Sequence, residues 1–259
     1  MKKLRANKRG FTLIELILVL VVSMILSSIA ISKINSNSLM LAARSVLNDL
    51  YYLQYLAINY DVYNGFSNYD NSYFQIYFHC VANIKTSYNK YKCDHKEIGY
   101  SIFSDKIGTN TSNPDADELV QDLFDNSKLI GARFAGISVD DKILSNKANL
   151  TRAFNIENAE IFYKVNNKTR KANRLMVNEL GEFYVSSYVS KLNKYNLIKS
   201  SDYVVRLSNS NIISKDTSIC ISLNNVGFIN IPKMSEKGQI VWYSGIKKTP
   251  KYCHELNNK

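Results

Sequence analysis

Four groups of residues in this chain have types and spacings that could do chemistry. Glu15 is the single charge in the apolar run 11–31. A carboxylate in such a setting can serve as an acid, a base or one half of a buried ion pair. His79-Cys80 and Cys93-Asp94-His95 offer the nitrogen and sulfur donors that tetrahedral zinc takes. Asp115, Asp117, Glu118, Asp122 and Asp125 offer the oxygens that Ca²⁺ prefers. Lys164, Lys168, Arg170, Lys171 and Arg174, within KVNNKTRKANR, offer cations to phosphate groups.

Each group also has a plainer reading. If 79–80 lie on a strand, His79 and Cys80 point to opposite faces and do not ligate one ion together. No metal site is therefore expected there. An even number of cysteines in an exported domain reads more simply as two disulfides. Of the three possible pairings of Cys80, Cys93, Cys220 and Cys253, the sequence-near one, Cys80 with Cys93 and Cys220 with Cys253, is expected. The acids match no calcium loop, and Asp115, Asp117 and Glu118 suit the first turn of a helix. Ca²⁺ is the one cofactor left open. The basic stretch reads as a tip between two strands; Lys168, Arg170 and Lys171 are its candidates for an anion or DNA contact. No aromatic residue alternates with these charges to stack on bases. G-x-S-x-G, G-x-x-x-x-G-K-[ST], G-x-G-x-x-G and H-E-x-x-H are all missing, so no catalytic residue is expected.

The elements that would position these groups differ sharply along the chain. Of the formal charge of +11, five units come from Lys2, Lys3, Arg5, Lys8 and Arg9, leaving a mildly basic remainder. Residues 11–32 are almost wholly apolar, about 30 Å of helix, the thickness of a bilayer core. The cationic segment before them stays cytoplasmic by the positive-inside rule. Leu39, Ala43, Val46, Leu50, Leu53, Ala57 and Tyr60 then recur at spacings of three and four, one face of an amphipathic helix over 33–64. Arg44, Asn48, Asp49 and Gln54 fall on its other faces. Ser and Asn in SKINSNS could break this helix.

From Gly65 onward short β-like runs alternate with polar turns. Strands are expected over 72–78, 98–104, 159–165, 174–179, 182–189, 202–208, 217–223, 227–231 and 239–244, with a hairpin about Asn224-Asn225. One further helix is expected after Asn113, with Pro114 in its first turn and Leu119, Val120 and Leu123 on its apolar side. No crossover helices alternate with the strands, so the sheet should be antiparallel. The fold class is α+β: a long N-terminal helix, transmembrane then amphipathic, packed on an antiparallel β-sheet head over 65–259.

The stretch RGFTLIEL, followed by an uninterrupted apolar helix, resembles the processing site of type IV pilins and type II secretion pseudopilins. The resemblance covers about the first thirty residues. It implies that residues 1–10 are a leader, that a prepilin peptidase cuts between Gly10 and Phe11, and that the new amine of Phe11 is methylated. It also implies a pilin-like fold. Glu15 then lies one helical turn, about 6 Å, from that amine. A neighbour's Phe11 comes within reach once subunits stack with a stagger. A lone acid in lipid costs several kcal/mol, roughly, unless it finds such a partner. The pattern departs from many pilins in lacking a proline before Pro114, so no kink is expected. The tip subunit of secretion pseudopili typically lacks the glutamate, which argues against that role here.

The resemblance implies a structural protein, not an enzyme. The leading expectation is a minor pseudopilin of a type II secretion system, held in the inner membrane with its head outside the cytoplasm. Its partners would be other pilin-like subunits, the peptidase, an inner-membrane assembly platform and lipid; nucleic acid is not among them. The alternative is a minor subunit of a type IV pilus or competence filament whose head binds DNA or a surface ligand. A cleaved secretory signal ending near Ala30 and a plain signal anchor also compete, but neither needs Glu15.

Overall fold

A computed structural model describes residues 13–59, 73–81, 97–105, 113–133, 140–189, 194–244 and 248–256. The chain divides into two compact units, 1–37 and 38–259. The fold is α+β with antiparallel sheets.

Helix α1 spans Leu13–Asn59. In its second half Leu39, Ala42, Ala43, Val46, Leu50, Leu53 and Ala57 are buried in the main core. Their spacing of three and four is the stripe of an amphipathic helix. Residues 60–64 of the expected helix lie outside the described residues.

The strands are β1 (Phe74–Cys80), β2 (Ile98–Ser104), β3 (Asn158–Val165), β4 (Lys168–Ala172), β5 (Arg174–Val177), β6 (Phe183–Val189), β7 (Lys194–Ile198), β8 (Asp202–Ser208), β9 (Ser218–Asn224), β10 (Ile229–Asn230), β11 (Met234–Ser235), β12 (Gly238–Ser244) and β13 (Thr249–Tyr252). One sheet has the order β2-β1-β5-β6-β7 and a second the order β10-β9-β8-β3-β4; a small third sheet is β11-β12-β13. Ile76, Tyr100, Leu175 and Phe183 from the first sheet share a core with Ile161, Tyr203, Val205 and Ile221 from the second and with the α1 stripe. A second, smaller core forms where Trp242, Cys253 and Leu256 cover Phe162, Val204 and Cys220. The Cys220–Cys253 disulfide fastens this C-terminal layer to β9.

Three expectations are corrected. The helix after Asn113 does not form: residues 116–118 make a turn, and Leu119 bridges Phe103 while Gln121 bridges Leu129. Val120 donates its N–H to Ile102 C=O and accepts from Ile130 N–H, so its backbone extends the first sheet instead of coiling. Sheet pairing outweighs a favourable helix start. Segment 168–172 is a strand, not part of a tip, because Asn166 and Asn167 take φ 49° and 61° and close a tight hairpin. The third concerns Asp49, placed away from the apolar stripe of the helix but in fact buried.

Asp49 is tolerated there because it is paired. Lys147 Nζ lies 2.7 Å from Asp49 Oδ1 and 3.1 Å from Asp122 Oδ1. Tyr100 donates its hydroxyl to Asp49 Oδ2 at 2.5 Å, and Ser145 donates to Asp122 Oδ2 at 2.6 Å. Burial pushes the Asp49 carboxyl above its usual range, against the pull of Lys147. Burial also pushes Asp122 upward, but bonds from Ser145, the Phe124 N–H and Lys147 outweigh it and hold this carboxyl low. One ammonium thus ties α1 to the 113–148 segment.

Removing one partner of a buried pair strands the other charge. Lys147→Met should cost about 2–3 kcal/mol in urea unfolding, less than a fully sealed pair because the lysine keeps some contact with water. Replacing Asp49 by Leu in the same chain should recover most of that loss. Equal stabilities of wild type and Lys147→Met would show that the pair contributes nothing.

Candidate functional site

The first half of α1 is built unlike the second. Glu15 stands in its first turn. Around it Ile14, Leu16, Ile17, Leu18, Val19, Leu20, Val21, Val22 and Met24 are all exposed. The helix is therefore apolar on every side, which suits lipid or a bundle of like helices, not water. Among the described residues no helix is long and apolar enough to cross a membrane. The side chains described in this unit, 14–24, amount to about 16 Å of helix, half of a bilayer core. Gly10 and Phe11, the expected cleavage and methylation positions, lie outside the described residues, as do Cys93 and His95.

The remaining candidates do not converge on one site. Cys220 and Cys253 are bonded to each other, and Cys80 is also in a disulfide, so it offers no thiolate. His79 is buried, with its Nδ1–H donating to Cys80 C=O at 3.0 Å and Nε2 accepting from Ser101 Oγ at 2.9 Å. Burial, aided by the nearby Arg174 charge, pushes its pKa down to about 4. Of the acids, Asp122 serves Lys147, Glu118 Oε2 accepts the Asp115 N–H at 3.1 Å, and Asp125 accepts from Ser127. Among the described residues no group of three or more metal-ligating side chains comes together.

The basic stretch is divided by strand geometry. Successive residues of β4 face opposite sides, so Lys168 and Arg170 lie on one face and Lys171 on the other. Lys171 pairs with Glu160 at 2.5 Å, and Lys164 donates to Tyr243 C=O at 2.8 Å. Arg174 is buried in the first sheet, 3.0 Å from Gln75 Oε1 and stacked on Tyr77. Sequence spacing alone could not reveal this split, because it follows from a turn at two asparagines in left-handed conformation.

The observation that decides the reading is in the N-terminal sequence. Residues 5–31 match the model of the prokaryotic N-terminal methylation motif. The chain carries a prepilin-type N-terminus. This motif is the signature of type IV pilin-like prepilins and pseudopilins, and it implies processing by a prepilin peptidase and assembly with other pilin-like subunits. No curated protein and no solved structure matches the chain. The prepilin motif includes Gly10, Phe11 and Glu15 and ends at Ile31, so it carries no statement about the head.

His79 gives a test of the core around β1. Its folded pKa lies below the ordinary value, so the unfolded chain binds the extra proton between pH 6.5 and about 4. Stability contributed by the neutral ring is complete above pH 6.5 and is lost as pH falls through this window. His79→Gln should remove about 3 kcal/mol of pH-dependent stability. Urea unfolding of both proteins at several pH values reads the difference; parallel curves would place His79 in water.

Proposed function

We propose that this chain is a structural minor pseudopilin of a type II secretion system. The observation that carries the proposal is Glu15, the single charge of the apolar run 11–31, in the first turn of a helix whose exposed side chains over 14–24 are otherwise almost all apolar, five residues beyond Gly10 within the prepilin motif. After cleavage the Phe11 amine is the charge best placed to neutralise Glu15 of an adjoining subunit. Breaking a desolvated pair by removing one partner costs about 3–5 kcal/mol. The pair therefore both drives side-by-side assembly and fixes axial register. The protein sits in the inner membrane through residues 11–32, with its leader in the cytoplasm and its head outside. It turns over no substrate; it joins other pilin-like subunits on an inner-membrane platform to build a short filament that drives export.

A filament subunit that grips DNA with its head draws less support. Lys168 and Arg170 are on the opposite face of β4 from Lys171, and Lys171 already serves Glu160. Two cations make few phosphate contacts, and the salt dependence of binding scales with that number.

Mass spectrometry of the mature protein should find an N-methylated Phe11 as the first residue. Glu15→Ala should be cut and exported normally but be missing from sheared filaments, its incorporation reduced about tenfold or more. A mature chain that keeps its first ten residues, or one that begins after Ala30, would end the proposal.

A further inference from the structure

Three groups that can react with one another meet where α1 joins the 113–148 segment. Lys147 Nζ stands 2.7 Å from Asp49 Oδ1 and 3.1 Å from Asp122 Oδ1. The Asp49 and Asp122 side chains are only 3 % and 5 % exposed and that of Lys147 18 %, so little water competes at this contact. Lys147 sits on a short 3-10 turn, Asn146–Ala148, anchored by the buried Ala148. Asp49 sits on α1 between the buried Val46 and Leu50. Both backbones are therefore held. An amine and a carboxyl fixed against each other in a productive geometry reach effective concentrations of roughly 10⁵–10⁸ M.

The two carboxyls are not equivalent. Tyr100 donates its hydroxyl to Asp49 Oδ2 at 2.5 Å, and burial favours the neutral form of this acid. A neutral carboxyl whose second oxygen is held by a hydroxyl is open to attack by an amine. Asp122 accepts from Ser145 Oγ at 2.6 Å and from the Phe124 N–H at 3.0 Å, and these bonds keep it ionised. An ionised carboxylate beside the same nitrogen is placed to take its proton. One acid is suited to be the electrophile and the other to be the base.

We propose that Lys147 and Asp49 join in an isopeptide bond within the folded head, with Asp122 as the base. The ion pair described above is the reactant. Lys147 passes one proton to Asp49 Oδ1 and a second to Asp122 Oδ1. The freed electron pair of Nζ forms a bond to the Asp49 carboxyl carbon, and Tyr100 holds the charge that develops on Oδ2. Asp122 then returns its proton to Oδ1, the carbon–Oδ1 bond breaks, and water leaves with both protons. Oδ2 remains as the amide oxygen, Nζ keeps one hydrogen, and Asp122 is ionised again. The reaction removes two buried charges and so relieves their desolvation. It happens once within one chain and acts on no substrate. The stability difference given for Lys147→Met is that of the chain before closure; the bond adds to it by closing a loop of 98 residues. All three residues belong to the unit 38–259, so the bond does not depend on the filament reading. Its effect is to fasten α1 covalently to the sheets that cover it.

Mass spectrometry of the full chain, reduced and unfolded, tests this. The wild type should be one water lighter than its residues require. Its tryptic digest should hold a branched peptide that joins the segments around positions 49 and 147. Lys147→Arg keeps the charge and should restore the full mass. Asp122→Asn should form the bond about a hundredfold more slowly, so that freshly made protein has its full mass. A wild type of full mass, with separate peptides for the two segments, would overturn the proposal whether or not a variant folds. So would a lost water that maps to another pair, Lys147 with Asp122 included. Closure at the wild-type rate in Asp122→Asn would overturn the role of the base.

Discussion

The structure of the head depends on one constraint: the second half of α1 offers a stripe of seven apolar side chains that two sheets must cover. A helix buries one face only if something flat and apolar meets it, and here both five-stranded sheets contribute to the same core. Burial of each leucine in that stripe is worth about 1.5–3 kcal/mol. The stripe therefore decides which face of each strand turns inward. Ile76 and Phe78 alternate on β1, Tyr203, Val205 and Leu207 on β8, and Ile219, Ile221 and Leu223 on β9. A one-residue slip in any of them would turn its apolar set to the wrong side.

The second sheet has a further task, because its outer face is also apolar in places. Phe162 and Val204 point away from α1 and are covered by the C-terminal layer. Arg206 joins the two: it donates to Leu256 C=O at 2.7 Å, pairs with Glu160 and stacks over the Phe162 ring at 4.6 Å. The Cys220–Cys253 bond closes a span of 33 residues, and by loop entropy such a closure contributes about 3–4 kcal/mol. A layer made of short strands and one 3-10 turn has little core of its own. The disulfide and Arg206 make up for this.

Much of the frame was legible in the sequence. The α1 stripe could be read because spacing of three and four has no competing explanation over so long a run, and most strands could be read because short β-branched and aromatic runs are set off by polar turns. Other features depended on partners distant in sequence. Asp49 looks like a solvent-facing acid until Lys147, ninety-eight residues away, is placed beside it. Residues 115–124 have every local mark of a helix, yet Val120 finds its hydrogen bonds at Ile102 and Ile130. Strand β4 was hidden because KTRKA has the composition of a loop; as a sheet edge it carries charges that discourage pairing with another chain. Gln54 gave no signal at all, since its bonds to Gly181 C=O and Gly227 C=O exist only once two turns from separate sheets meet.

The prepilin motif was legible for a different reason: in the function proposed above, Gly10, Phe11 and Glu15 act through local sequence and the physics of a carboxylate in an apolar medium, and neither needs the head. The same separation explains why residues 5–31 match a known motif while the chain as a whole matches no curated protein or solved structure. In that proposal an assembly contact set by one charge pair must be kept to the residue. A head needs only to cover the α1 stripe on one side and to present a suitable surface on the other, and many sequences can do that.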